Sequence, residues 1–212
     1  DHGKAQKLKD ELTQQFGFGH KVPFMKLREV VSPALQEIAE FIYDNVFYGY
    51  TTKQWGFSPE ELGPAVMGRV PVNISYDDRY FQDTFQFMPK DGYTEMFRRI
   101  LDHPNIEVRL GESISQDDIQ RMGKPTIYSG AVDELFGYGL GELPYRSLQF
   151  DLQSYQQPRH QAVAQVNYPN HHDYTRVTEM NYLTDEYREN TLVAVEYPMA
   201  HDPGETTPYY TI

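Results

Sequence analysis

The chain has 212 residues, no cysteine, and 19 basic against 31 acidic side chains, for a formal charge of −12. The missing thiols exclude a disulfide framework, thiolate catalysis and cysteine-ligated zinc, and the acidic balance argues against gripping nucleic acid through its phosphates. With 39% hydrophobic and 24% charged residues, the composition is that of a globular protein large enough for one sizeable domain or two small ones. No stretch approaches the roughly 18 consecutive apolar residues of a membrane span, and no charged-then-apolar leader is visible; the lack of cysteine fits a cytoplasmic protein. Tyrosine is unusually abundant, at 17 against 12 Phe and 1 Trp. A phenol joins a flat apolar body to a hydroxyl that donates and accepts, which suits stacking on rings and hydrogen bonding to sugars or phosphates. Aromatics are also favoured in strands for packing alone.

The first half reads helical. Ala5, Leu8, Leu12 and Phe16 recur at helical spacing, and Gly17 and Gly19 end the run. Ser32 suits an N-cap and Pro33 the first helical position; Leu35, Ile38, Ala39, Ile42, Tyr43 and Val46 then predict a helix over 33–47. Residues 48–56 are expected to leave that helix as a short loop ending at Gly56. Ser58-Pro59-Glu60-Glu61 has the pattern of a capping box and predicts the start of a short helix. Asp91 is placed to cap a helix reaching Leu101, with Tyr93, Met96, Phe97 and Ile100 on one face.

Ile106 to Leu110 alternates and predicts a strand, Ser115 to Asp118 opens a further helix, and Thr126-Ile127-Tyr128 reads as a short buried strand. After residue 144 the period becomes two, through Leu148, Phe150 and Leu152, then Ala162 to Val166, Thr175 to Glu179 and Val193 to Tyr197. Breaks at Pro158, Asn170 to Asp173 and Asp185 to Asn190 make this an antiparallel set. Helices first and an antiparallel sheet later define an α+β fold.

Several chemistries are missing by motif. No G-x-G-x-x-G, P-loop, G-x-S-x-G or H-E-x-x-H occurs, and Gly137-Tyr138-Gly139-Leu140-Gly141 has the wrong spacing for a dinucleotide turn. His171, His172 and Asp173 are adjacent, and neighbours in extended chain point opposite ways, so a solvated loop is preferred to a metal site.

The informative stretch is 48–93. It gathers Tyr48-Gly49-Tyr50-Thr51-Thr52-Lys53-Gln54-Trp55-Gly56, Arg69-Val70-Pro71-Val72, Tyr76-Asp77-Asp78-Arg79-Tyr80-Phe81 and Pro89-Lys90-Asp91-Gly92-Tyr93. Arginine is the residue for bidentate phosphate contacts, and tyrosine hydroxyls complete such a cradle, although arginines such as Arg69 and Arg79, taken in isolation, are more often solvated or paired with Asp77 or Asp78. The theme returns in Tyr145-Arg146-Ser147-Leu148, Tyr174-Thr175-Arg176 and Tyr209-Tyr210. Arginines beside tyrosines in an acidic chain point to a sugar-phosphate or nucleotide-sugar pocket.

These segments, with Tyr128-Ser129-Gly130 and Asp133, resemble the UDP-galactopyranose mutases over roughly residues 35–212. The resemblance implies an isomerase of bacterial cell-wall polysaccharide synthesis that interconverts UDP-galactopyranose and UDP-galactofuranose. Reduced FAD is its nucleophile, and the protein supplies orientation and charge balance for the leaving diphosphate. It further implies that Tyr50, Thr51 and Trp55 belong to a mobile loop and uridine pocket, with Phe47 near the uracil. Arg69 would close on the diphosphate and Arg176 would lie near flavin and sugar phosphate; these two are the expected catalytic residues. Tyr80 and one of Tyr209 and Tyr210, with Tyr210 favoured, would contact the diphosphate, and Asn167 the substrate. Arg146 matches a motif arginine whose role stays open.

The expected layout is a helical domain over 1–104 with the mobile loop at about 48–70, then a short α/β segment and an antiparallel substrate-binding sheet over 105–212. The family's N-terminal dinucleotide motif and C-terminal glycine-rich segment are absent, and Thr211 stands where the family often has Pro. A substrate-binding fragment is therefore expected, inactive alone and a poor FAD binder, from a parent that forms homodimers. The alternatives are a non-catalytic nucleotide-sugar binding module and a relative of flavin amine oxidases.

Overall fold

A computed structural model describes residues 2–63, 66, 71–184 and 187–212, so Arg69 lies outside the described residues. The chain opens with α1 (His2–Phe16), which ends where Gly17 takes a φ of 84°. Strand β1 (Lys21–Val22) follows, then α2 (Phe24–Arg28) and α3 (Pro33–Ile42). Pro33 occupies the first turn as predicted, but Ser32 makes no cap bond, because its hydroxyl donates to the Glu11 carboxylate instead.

The helix does not stop at residue 47. A π-helical turn over Tyr43–Phe47 leads directly into α4 (Tyr48–Trp55), which Gly56 closes in the left-handed conformation at φ 77°. The loop expected at 48–56 is therefore helical. The wide turn also moves the apolar stripe. Val46, expected on it, is 51% exposed, and Phe47 turns inward to stack on Phe24 at 4.1 Å. A step of four residues overshoots a 3.6-residue turn by about 40°, and the i→i+5 turn takes part of that back. Positions 35, 39, 43 and 47 can thus stay on one side.

Ser58–Glu61 forms only a turn. Ser58 N and Oγ both donate to Glu61 Oε2, at 2.9 and 2.8 Å, and Pro64 disfavours helical backbone at Gly63. Strand β2 (Val72–Asn73) pairs antiparallel with β1. Helix α5 (Gly92–Leu101) matches expectation, except that the Asp91 carboxylate pairs with Arg99 at 3.2 Å rather than capping. Helix α6 (Gln116–Met122) starts at a reciprocal capping box between Ser115 and Asp118, and α7 (Val132–Leu135) follows. The strands expected at 106–110 and 126–128 are not formed. Their alternation has no partner strand among the described residues, and Leu110 is 88% and Ile127 100% exposed; an unpaired strand gains neither ladder nor packing.

The second half is the predicted antiparallel sheet. It comprises β3 (Tyr145–Tyr155), β4 (Gln165–Asn167), β5 (Arg176–Glu179), β6 (Thr191–Ala200) and β7 (Tyr210–Thr211), with α8 (Met180–Leu183) between β5 and β6. The spatial order is β4-β5-β6-β3-β7.

Two cores result. Phe24, Leu27, Val30, Leu35, Ala39, Tyr43 and Leu62 bury the helical part. The Tyr43 hydroxyl donates to Glu60, and the Arg28 guanidinium lies 4.0 Å over the Tyr43 ring. Val177, Val193 and Val195 form the core of one sheet face, flanked by Tyr155, Tyr168, Tyr174 and Tyr197. Strand alternation puts Arg176 and Glu196 on the other face.

Candidate functional site

The site is where α4 lies on that other face, and the sequence around α4 explains how it is held. Gly49 sits so close to the β4–β5 connection that a Cβ would overlap Asn170 Oδ1 and the Pro169 carbonyl oxygen. Asn170 Nδ2 donates to the carbonyls of Asp44 and Asn45, at 3.4 and 3.3 Å, which belong to the π-helical turn. The Lys53 ammonium donates to three carbonyls of the same connection: Tyr168, His172 at 3.0 Å and Tyr174 at 3.0 Å. Burial lowers the Lys53 pKa, and Asp173 opposes the shift. Arg146, on β3, donates through Nε to the Gln54 carbonyl at 3.0 Å and through Nη2 to that of Lys53 at 3.2 Å. A cation on the last carbonyls of a helix satisfies both their lone pairs and the helix dipole. The open role of Arg146 is therefore to cap α4. A Cβ on Gly56 would stand 3.1 Å from Arg146 Nη1, so close approach and positive φ both require glycine there.

Three strands contribute a row of functional side chains. Asn167 on β4 is directly opposite Arg176 on β5, which is opposite Glu196 on β6. Directly opposed residues of antiparallel strands share a face. From α4, Tyr50 reaches this row: Arg176 Nη2 donates to its hydroxyl at 2.9 Å, and Arg176 Nε lies 3.8 Å from Glu196 Oε1. Burial works against the Arg176 charge, but the Tyr50 hydrogen bond and the Glu196 carboxylate outweigh it, so the guanidinium is held above its usual range. The Arg176 Nε itself has no hydrogen-bond partner among the described residues. Glu196 is buried and accepts from the Thr175 hydroxyl at 3.2 Å.

One turn along α4, Gln54 Nε2 donates to the Tyr210 hydroxyl, and the Trp55 ring meets the Tyr210 ring edge-on at 5.0 Å. Tyr210 is opposite Arg146 in the β3–β7 pair. Burial, reinforced by the Glu196 carboxylate, pushes the Tyr210 phenol up to about 12, so it is a neutral donor throughout the physiological range.

The structure thus brings Tyr50, Trp55, Arg176 and Tyr210 together, with Asn167 in the same row. Tyr80 is 70% exposed, yet Arg176 feels its hydroxyl electrostatically. Thr51 is buried on α4 beside Tyr50, and Tyr209 packs edge-on against Phe150 at 6.4 Å. Phe47 stacks on Phe24 in the helical core and makes no ring contact with Trp55 or Tyr210. Arg79 spends its charge on Asp77, in a two-pronged pair at 2.9 and 2.7 Å. Near His171, His172 stacks on Tyr174 at 4.6 Å, and no group of three metal-ligating side chains occurs among the described residues.

Glu196 and Gln54 escaped the sequence reading. The signal for Glu196 was a lone carboxylate in the apolar run Val193-Ala194-Val195-Glu196-Tyr197. A separate hollow of about 410 Å³ between Asp133, Tyr138, Tyr145, His201 and Thr206 does not include this cluster.

A flavin dinucleotide does not fit the described residues by themselves. Among the described residues, the glycine-rich turn Gly137 to Gly141 leads into β3 and Gly17-Phe18-Gly19 leads into β1, so neither is followed by a helix N-terminus to receive a pyrophosphate. No helix among the described residues is long and apolar enough to cross a membrane.

The geometry defines a protein class: an α+β protein whose sheet face and docked helix converge guanidinium and phenol groups on one surface. Residues 45–212 match the family described as UDP-galactopyranose mutase. The chain is 35% identical to a UDP-galactopyranose mutase of Mycoplasma pneumoniae over 227 residues, covering 100% of this chain and 57% of that protein. It is 37% identical to a dTDP-fucopyranose mutase of Escherichia coli (84% of this chain, 49% of that protein) and 39% identical to a probable UDP-galactopyranose mutase of Klebsiella pneumoniae (84% and 46%). The chain belongs to the UDP-galactopyranose mutase family. It spans about half the length of the curated relatives it matches.

Proposed function

We propose that this chain is the nucleotide-sugar-binding portion of a mutase interconverting UDP-galactopyranose and UDP-galactofuranose. The observation that carries the reading is the convergence of Arg176, Tyr50 and Tyr210, from β5, α4 and β7, on one face of the sheet. The family's chemistry is flavin-dependent, and the flavin belongs to the whole protein, outside the described residues here.

This chain's task in the reaction is to hold the diphosphate. When the sugar–phosphate bond breaks, charge builds on the leaving phosphate oxygens. Arg176 and Arg69 balance that charge, and Tyr50, Tyr80, Tyr210 and Tyr209 offer hydroxyl donors to it. Trp55, Thr51 and Phe47 serve the uridine, and Asn167, beside Arg176, serves the sugar. Of the segment expected to move, residues 48–55 form α4 and are held to the sheet by Lys53 and Arg146; Arg69 and its neighbours lie outside the described residues. The chain by itself lacks mutase activity, and the whole protein is a cytoplasmic bacterial homodimer supplying galactofuranose to cell-wall polysaccharide.

The test is an assay of the full-length protein with reduced FAD and UDP-galactofuranose. Appearance of UDP-galactopyranose is expected; its absence, with UDP still bound, would leave a binding module in place of an enzyme.

A further inference from the structure

We propose that Gln54 is a positioning residue that fixes the Tyr210 hydroxyl as a donor to the substrate diphosphate, an inference that rests on the diphosphate reading of this site. A phenol oxygen carries one proton and can accept from others. Gln54 Nε2 already donates to that oxygen. Two donors cannot share one bond, so the Tyr210 proton must point away from α4, toward the face shared with Arg176. The parallel arrangement at Tyr50 is independent of this one: Arg176 Nη2 donates to its oxygen at 2.9 Å, leaving its proton free as well.

Gln54 is well suited to the task. Its side chain is buried, its main-chain carbonyl is held by Arg146 Nε at 3.0 Å, and the Trp55 edge limits rotation of the Tyr210 ring. Turning the amide over would place its NH₂ where Oε1 now stands without a partner. An orphan buried N–H group is rarer than an orphan oxygen, which favours the amide nitrogen toward Tyr210. Burial also keeps the phenol protonated, so the oriented proton is present whenever substrate is.

The experiment is a double-substitution cycle in the full-length protein, using Gln54→Met, Tyr210→Phe and both together. UDP affinity is read by calorimetry and uridine affinity by ligand-observed NMR. Tyr210→Phe is expected to weaken UDP about tenfold, Gln54→Met about three- to tenfold, and the pair no more than Tyr210→Phe alone. Uridine binding should be unchanged in all three. Gln54→Glu, whose carboxylate would accept the Tyr210 proton, should weaken UDP further than Gln54→Met, and by less once Tyr210 is Phe. Additive effects of Gln54→Met and Tyr210→Phe would overturn the proposal. A parallel loss of uridine would do so too, since Gln54 would then be holding the fold. If Tyr210→Phe itself left UDP affinity unchanged, the diphosphate reading of Tyr210 would fall instead.

Discussion

Arg146 reaches across 92 residues of sequence to close the end of α4, its Nε on the Gln54 carbonyl at 3.0 Å and its Nη2 on the Lys53 carbonyl at 3.2 Å. One planar fork thereby fixes the two residues that hold the β4–β5 connection and the Tyr210 hydroxyl. Lysine keeps the charge but not the fork. Arg146→Lys is expected to destabilise the full-length protein by about 1–2 kcal/mol, and Arg146→Met by about 2–3 kcal/mol. The denaturation midpoint in urea measures both. A midpoint unchanged by Arg146→Met would show that the cap contributes nothing.

Gly49→Ala should move stability against helix propensity. Alanine is favoured over glycine in a helix by about 1 kcal/mol, but here its methyl would overlap Asn170 Oδ1 and the Pro169 carbonyl. Overpacking of this kind costs about 1–3 kcal/mol or more, so a net loss of about 1–2 kcal/mol is expected. Thermal unfolding reads it as a lowered Tm.

The pH response of UDP binding should carry the mark of Tyr210. Its phenol is raised from 10.0 to about 12, by burial first. A raised folded-state pKa contributes stability that is full below the unfolded value and lost as pH climbs from 10 toward 12. The corresponding hydrogen-bond donor therefore persists through pH 10. The ratio of UDP dissociation constants between Tyr210→Phe and the unaltered protein should stay constant from pH 7 to pH 10, measured by calorimetry. A ratio about halved by pH 10 would show a phenol that ionises at its ordinary value of 10.0.

Charge on the diphosphate should come from two arginines that are not equivalent. Arg69→Ala is expected to cost about 1.5–3 kcal/mol in UDP binding, the worth of a charge-assisted contact. Arg176→Lys retains the charge but cannot serve Tyr50 and Glu196 together, and about 1 kcal/mol or more should be lost. Equal UDP affinity in either variant would remove that residue from the site.

Local chemistry made much of the fold legible: the Ser32-Pro33 start of α3, the Ser115 capping box, and the period-two runs that became β3, β5 and β6. The failures have a common physical source. Ile106 to Leu110 and Thr126 to Tyr128 carry strand alternation, but strands exist only as pairs, and periodicity does not name a partner. Val46 was assigned to the apolar stripe because a 3.6-residue period was assumed through a turn that is wider. In the candidate site, Tyr50, Arg176 and Tyr210 were legible as phenols and a guanidinium suited to an anion, and Trp55 through the family resemblance. Glu196 and Gln54 were not, because their significance comes from what stands opposite them, and register is a tertiary property.

The π-helical turn at Tyr43–Phe47 makes the width of a single helical turn a determinant of assembly. Its five residues cover about the rotation that four cover in an ordinary helix, so straightening the turn at the same chain length would swing everything beyond it by about 100°. Gly49 would then no longer face Pro169, Lys53 would leave its three carbonyls, and Tyr50 would point away from Arg176. The open turn is thus what brings the whole of α4 into line with the sheet.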